Sequence, residues 1–258
     1  YKTTNGGDKW ELVLKVDEHT GINEIHLDPR DPSVMYATAH QRRRHVFTYV
    51  GGGPGSQIYK STDGGENWKK LGGGLPSSIK GRIGMDISPA DPDILYALVE
   101  AEMDKQGLYK STDRGESWKK VNSYVTSGNY YQEVFCDPLD KNKVFFMDTW
   151  LHHTSDGGKT VVKTGEKSKH VDNHCIWVDP NDTEHWIVGC DGGIYETWDH
   201  AGNWHYKPNL PITQFYKVAV DNDYPFYNVY GGTQDNNSLG GPSRTINNHG
   251  IMNSDWYI

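Results

Sequence analysis

Short apolar runs of strand length alternate with polar turns along the whole chain. Ile25-His26-Leu27 and Val34-Met35-Tyr36 flank Asp28-Pro29-Arg30-Asp31-Pro32-Ser33, and Met85-Asp86-Ile87 and Ile94-Leu95-Tyr96 flank Ser88-Pro89-Ala90-Asp91-Pro92-Asp93. The figure returns at Val134-Phe135-Cys136 before Asp137-Pro138-Leu139-Asp140, and at Ile176-Trp177-Val178 before Asp179-Pro180-Asn181-Asp182. A looser copy stands at Val218-Ala219-Val220 before Asp221-Asn222-Asp223. Proline presets φ and aspartate folds onto nearby backbone N–H groups, so each copy predicts a hairpin between two strands.

A second phrase alternates with the first. It reads Ser/Thr-x-Asp-x-Gly-x-x-Trp at Thr3–Trp10, Ser61–Trp68 and Ser111–Trp118, with worn copies at Thr154–Val161 and Thr197–Trp204. Its aspartate or asparagine is expected to accept from backbone N–H groups two or three residues ahead, and its glycine to take positive φ. Its tryptophan is expected to open the returning strand and bury its ring between sheets. Ile58-Tyr59-Lys60 and Gly107-Leu108-Tyr109-Lys110 lead in with strand formers, and Trp68–Leu71 and Trp118–Val121 lead out in alternation. Strand, Asp-Pro turn, strand, longer loop, strand, Gly-rich turn, strand makes a four-stranded antiparallel unit. Repeated about every 40 to 50 residues, it predicts an all-β chain folded as a β-propeller.

These two phrases resemble the Asp-box (bacterial neuraminidase repeat) propellers, and among them the sortilin-like group that also holds xyloglucan-active endoglucanases. The resemblance covers nearly the whole chain. It implies that the boxes lie on the face opposite the ligand site, so Asn5, Asp63, Asp113, Asp156 and Asp199 are read as turn formers rather than catalysts. Residues 1–15 would supply the outer hairpin of one blade, residues 22–71, 82–121, 132–164 and 172–207 four whole blades, and 214–258 the start of another without a box. Tyr1 is not a start methionine and the final hexapeptide stops in mid-pattern, so the expectation is an incomplete propeller, continuous with further blades or domains in a longer parent chain. The alternative is that the two ends complete one shared blade and close a small ring.

Composition narrows the function. Nine Trp and sixteen Tyr among 258 residues let an all-β core be built from large rings. A net charge of −8 disfavours a nucleic-acid partner, because phosphate binding needs a basic surface. No apolar run is long enough to span a bilayer. Arg42-Arg43-Arg44-His45 is a basic exception and is read as a solvated loop cluster. Of the three cysteines, Cys175 and Cys190 stand at nearly opposite places across the turn at 179–184, where a cross-strand disulfide is conceivable, while Cys136 is expected to be a free buried thiol.

In a propeller, the blade-to-blade loops and the loops from second to third strand converge on one face. Here these are Ala39–Gln57, Tyr130-Tyr131-Gln132-Glu133, Trp150-Leu151-His152-His153, Lys169–His174 and the amide-rich stretch from Gly231 to Thr245. Aromatic platforms among amides and carboxylates suit a sugar or a peptide, and the contact residues expected are Tyr131, Trp150, His152, His170, His174, Gln234, Asn236 and Arg244. On an extended strand His170, Asp172 and His174 would point to one side, where they could hold a structural divalent cation; otherwise no cofactor is expected. Two readings follow. One is a non-catalytic binding propeller for a glycan, peptide or protein partner, secreted, periplasmic or at the cell surface. The other is a two-carboxylate glycoside hydrolase of the xyloglucanase kind, with Asp172, Asp191 and Asp235 as leading catalytic candidates and Glu133 and Asp148 behind them. A sialidase is disfavoured, since Gly81-Arg82-Ile83-Gly84 only imitates the arginine-bearing phrase that such relatives carry.

Overall fold

The structure is a computed structural model that describes residues 1–208 and 214–257. Four sheets of four antiparallel strands follow one another, each in chain order. The first is Thr20–Asp28, Asp31–Gln41, Ile58–Ser61 and Lys69–Lys70; the second is Lys80–Ile87, Leu95–Ala101, Gly107–Ser111 and Lys119–Asn122. The third is Val134–Cys136, Val144–Phe146, His152–Thr154 and Val162–Lys163; the fourth is Asn173–Asp179, Asp182–Cys190, Gly193–Thr197 and His205–Tyr206. A fifth sheet has three strands, Phe215–Val220, Asn228–Thr233 and Ser238–Pro242. Before the first sheet, Lys2 and Glu11 exchange both backbone hydrogen bonds at 2.8 Å, closing the hairpin around the first box. Ile258, the end of the last expected blade, lies outside the described residues.

Strand periodicity explains how the sheets stack. In the second sheet the run Leu95-Tyr96-Ala97-Leu98-Val99 is wholly buried, because alternate side chains go to opposite neighbours. Leu95, Ala97 and Val99 meet Tyr36 and Ile58 of the first sheet; Tyr96 and Leu98 meet Val134, Val144 and Phe146 of the third. Phe145 and Met147 then meet Ile176, Trp186 and Val188 of the fourth. A sheet covered on both faces reads as a continuous apolar run, whereas one covered on a single face alternates. The fifth sheet is different. No residue of it joins these three cores, its first strand is exposed throughout, and among the described residues no hydrogen bond links it to the other four sheets.

The five boxes fold alike, with one correction to the sequence expectation. In the second box the Ser61 hydroxyl donates to Asp63 at 2.8 Å, the Gly65 N–H donates to Ser61 Oγ at 2.9 Å, and the Asn67 N–H donates to Asp63 at 2.9 Å. The carboxylate therefore takes its main backbone bond four residues ahead and a weaker one three ahead, because the hydroxyl already occupies the N–H two ahead. Lys9, Ser117, Thr160 and Asn203 repeat the bond to Asn5, Asp113, Asp156 and Asp199. These bonds to the charged form hold Asp63, Asp113 and Asp156 down at about 2. Gly65 and Gly115 take φ of 86° and 84°, which a side chain would strain. Trp118 and Trp204 are buried as expected, but Trp10 is 58% exposed.

Polar ties cross between sheets at the same end. Lys60 is almost fully buried and donates to Arg114 O at 2.8 Å and Glu116 at 2.9 Å in the next box; Lys2 does the same to Gly64 O and Glu66 one box earlier. On the first strands, Glu24 accepts from Met85 N–H and Asp86 from Cys136 N–H, each at 2.8 Å. The first and second blades thus each hand an acceptor to the next.

Cys175 and Cys190 do not form the conceivable disulfide. The strand pairing puts Cys175 opposite Gly189, and a bulge between Asn173 and Cys175 puts Cys190 opposite Asn173, so the two thiols lie one register step apart, on opposite faces of the sheet. All three cysteines are free, Cys136 buried among them.

Candidate functional site

Topology separates two ends of the sheets. Each box follows the third strand of its sheet; that strand runs parallel to the first, so the boxes stand at the end opposite to where first strands begin. At the beginning end lie the blade-to-blade loops and the loops from second to third strand. There Tyr131, Asp172, His174 and Asp191 come together, and Trp150 stands on the loop whose Thr149 carbonyl bonds Asp172 N–H. The Tyr131 hydroxyl donates to Asp172 at 2.6 Å, the Tyr131 ring stacks on His174 with centroids 5.4 Å apart, and His174 Nε2 lies 2.8 Å from Asp191. Burial and the Asp172 carboxylate together push the Tyr131 phenol up to about 12, so it stays a donor.

The loops that carry these groups are clamped from below. Asp172 N–H donates to Thr149 O at 2.9 Å and Asn173 N–H to Asp148 O at 3.0 Å, joining the third and fourth sheets. Beneath them Lys169 and Glu166, 0% and 1% exposed, pair at 3.0 Å. Glu166 also accepts from Leu151 N–H and the Asn173 amide, each at 3.0 Å, and Lys169 bonds Asn173 Oδ1. These bonds offset the desolvation of the buried pair and hold one geometry. Trp150 is 43% exposed, with the Lys163 ammonium 3.1 Å over its ring. His152 turns Nδ1 to Trp150 O at 2.8 Å and packs on Tyr124. Burial pushes Asp148 and Glu133 above the ordinary carboxylate range, the latter despite its ion pair with Arg82.

The expected row of His170, Asp172 and His174 does not form. Asp172 has φ 62°, in the left-handed region, and the strand begins only at Asn173, so the alternation of side chains does not hold across 170–174. Asp172 turns to Tyr131, His174 to Asp191, and His170 Nδ1 to Val171 O at 2.9 Å. Among the described residues no three His, Cys, Asp or Glu side chains are grouped to hold a metal. Gln234, Asp235 and Asn236 form the exposed turn after Thr233, and Arg244 lies 4.9 Å over Phe226; all four belong to the fifth sheet region and do not join the Tyr131 cluster. A cavity of about 500 Å³ in that sheet, lined by Val218, Tyr230, Leu239 and Tyr257, is equally separate.

Glu166 and Asn173 were not singled out by pattern. Their only sequence signal was the Glu-x-x-Lys spacing of 166–169 just before a strand, which reads as a surface pair until the loop is seen to fold inward. A smaller cleft, about 220 Å³, is lined by His19, Gly21, Ile22, Asn23, His40 and Arg42 of the first sheet.

Successive four-stranded sheets, with Asp-box corners at one end and a clamped aromatic and carboxylate cluster at the other, define an Asp-box β-propeller. The chain belongs to the Sortilin-Vps10 family, described as "Sortilin, neurotensin receptor 3", whose match covers residues 1–150, more than half of it. No curated protein matches it in sequence. Among solved structures, the GH74 enzyme of Niastella koreensis is 18% identical, with 86% of this chain and 36% of that one covered at a TM-score of 0.54. The GH74 xyloglucanase of Xanthomonas campestris is 15% identical, covering 91% and 37%, at 0.53. YCF48 bound to D1 peptide is 11% identical, covering 88% and 67%, at 0.51. At such identities the likeness is one of fold. The chain spans about a third of the length of the two GH74 structures.

Proposed function

We propose that this chain is the ligand-presenting part of a non-catalytic, extracellular propeller, and that it takes a glycan or peptide on the face built by Tyr131, Trp150, Asp172, His174 and Asp191. The observation that carries this reading is the state of the carboxylates. Asp172 is held by the Tyr131 hydroxyl and Asp191 by His174, while the ring of Trp150 stays open to solvent. A half-open aromatic ring on the same end of the sheets as oriented donors and acceptors suits recognition, as in pockets that bind through one apolar platform and a few placed polar groups. The solved likenesses include one propeller bound to a peptide and others that are glycoside hydrolases, so both ligand classes belong in the test.

Titration of the chain with xyloglucan oligosaccharides, other β-glucan oligosaccharides and a peptide panel tests the reading. Binding without product release, weakened about tenfold or more by Trp150→Ala and Asp172→Asn but not by Asp235→Asn, is expected. A second reading is favoured by Asp148, whose burial keeps its proton to higher pH as a general acid requires. Reducing ends released from xyloglucan by the chain, and lost in Asp148→Asn, would replace the binding proposal with that hydrolase.

A further inference from the structure

The loop between the second and third strands of the first sheet is not a connector. Within it Arg43–His45 pairs with Thr48–Val50 as a separate antiparallel hairpin that, among the described residues, joins no other sheet. At its turn stand Val46 and Phe47, 106% and 87% exposed. Behind them come Arg42, Arg43, Arg44 and His45, and residues 39–57 contain no Asp or Glu, in a chain whose net charge is −8. The nearest carboxylates along the chain are Asp31 and Asp63, outside the loop, and at its foot Arg42 N–H bonds His19 O. Arg42 lies 5.5 Å over the Tyr49 ring, and His45 stacks on Phe47.

The foot of this hairpin is tied down although its tip is exposed. Gly53 N–H donates to Lys80 O at 3.0 Å, His40 Nε2 lies 3.0 Å from Gly51 O, and Gln41 takes the Gly55 N–H at 2.9 Å. Gly52 and Gly53 are needed there, because a Cβ on either would fall 2.8 Å from Lys80 O or 2.0 Å from the Gln41 side chain. Lys80 opens the first strand of the second sheet, so the hairpin rises from the same end of the sheets as the Tyr131 cluster.

We infer that this hairpin is an interfacial anchor that sets its Val46-Phe47 tip into an anionic phospholipid surface while Arg42, Arg43 and Arg44 pair with the headgroups. Two apolar side chains at a turn, with cations set one step back and no carboxylate between them, match the two layers of such a surface: acyl boundary, then phosphate. A solvated charge cluster accounts for the arginines but leaves a fully exposed phenylalanine at the apex unexplained. An acidic protein groove would take the arginines as well, and the experiment separates the two.

The whole chain is sedimented with vesicles of phosphatidylcholine alone and of phosphatidylcholine mixed with phosphatidylglycerol. Binding is expected only to the mixed vesicles, falling as salt rises. Replacing all three arginines with glutamine should weaken it on the order of a hundredfold, about fivefold for each charge near the surface. Val46→Ser with Phe47→Ser should also release the chain, and Phe47→Trp should shift its emission to the blue on mixed vesicles and be quenched by brominated lipid. Unchanged circular dichroism and urea midpoint show that the variants fold. The inference is overturned by equal binding to both vesicles, by binding that survives the arginine replacement, by a Phe47→Trp reporter that stays in water, or by capture on an acidic protein or polysaccharide alone.

Discussion

His26 ties the first two sheets together by charge, and its removal has a calculable signature in pH. Its ring lies with Nδ1 3.3 Å from Asp86 and Nε2 3.6 Å from Glu24, which are charge contacts rather than full hydrogen bonds. Burial is the largest single influence and pulls its pKa down, but Asp86 and then Glu24 outweigh it and raise it from 6.5 to about 9. A group raised on folding contributes fully below its unfolded value and loses that contribution as pH climbs through the folded value. The window therefore runs from about 6.5 to about 9. The rise corresponds to at most about 3 kcal/mol, and the long contacts with a ring 24% exposed reduce this to about 2 kcal/mol. Both carboxylates also hold backbone N–H groups of the following sheets, so the loss should be felt across two blade junctions. Urea unfolding of the wild-type chain and of His26→Gln at a series of pH values from 6 to 10 measures it. The difference between the two proteins should be largest below 6.5 and shrink by about 2 kcal/mol by the alkaline end. A difference that stays constant, or grows, with pH would refute the charge-tie argument.

Three further outcomes are expected. Ser111→Ala leaves the buried Gly115 N–H without its acceptor at 2.8 Å and should cost about 1 to 3 kcal/mol in urea unfolding, without altering ligand titrations. Gly84→Ala would bring a Cβ 1.4 Å from Gln132 O where the second and third sheets meet, and should cost at least about 3 kcal/mol or abolish soluble expression. Under denaturing, non-reducing conditions iodoacetamide should modify all three cysteines; on the native chain the exposed Cys175 should react first and Cys136, whose thiol burial pushes well up, last.

Much of the architecture was legible in the residues because both kinds of turn are local. A serine or threonine, an aspartate or asparagine and a residue with positive φ, glycine in four boxes and Ala201 in the fifth, satisfy one another within five positions without help from the rest of the chain, which is why five boxes read from sequence fold alike even where the tryptophan is exposed, as at Trp10. The strand runs were equally plain, since Leu95–Val99 is apolar at every position only because neighbours cover both faces. The site was legible in part. Tyr131, Trp150, Asp172, His174 and Asp191 stand on one end as loop topology required, whereas His170 turned away and the group from Gln234 to Arg244 fell elsewhere.

What the chain determined unaided was its alternation of turns and strands, set by bonds that span a few residues and by side chains that alternate with period two. What only the tertiary structure decided were the features in which a single residue changes the outcome: the left-handed Asp172 that dissolves the histidine row, the register that parts Cys175 from Cys190, and the inward fold of Glu166 and Lys169 beneath the Tyr131 cluster. Each depends on pairing or contacts beyond its own segment, so nothing in the neighbouring sequence could announce it.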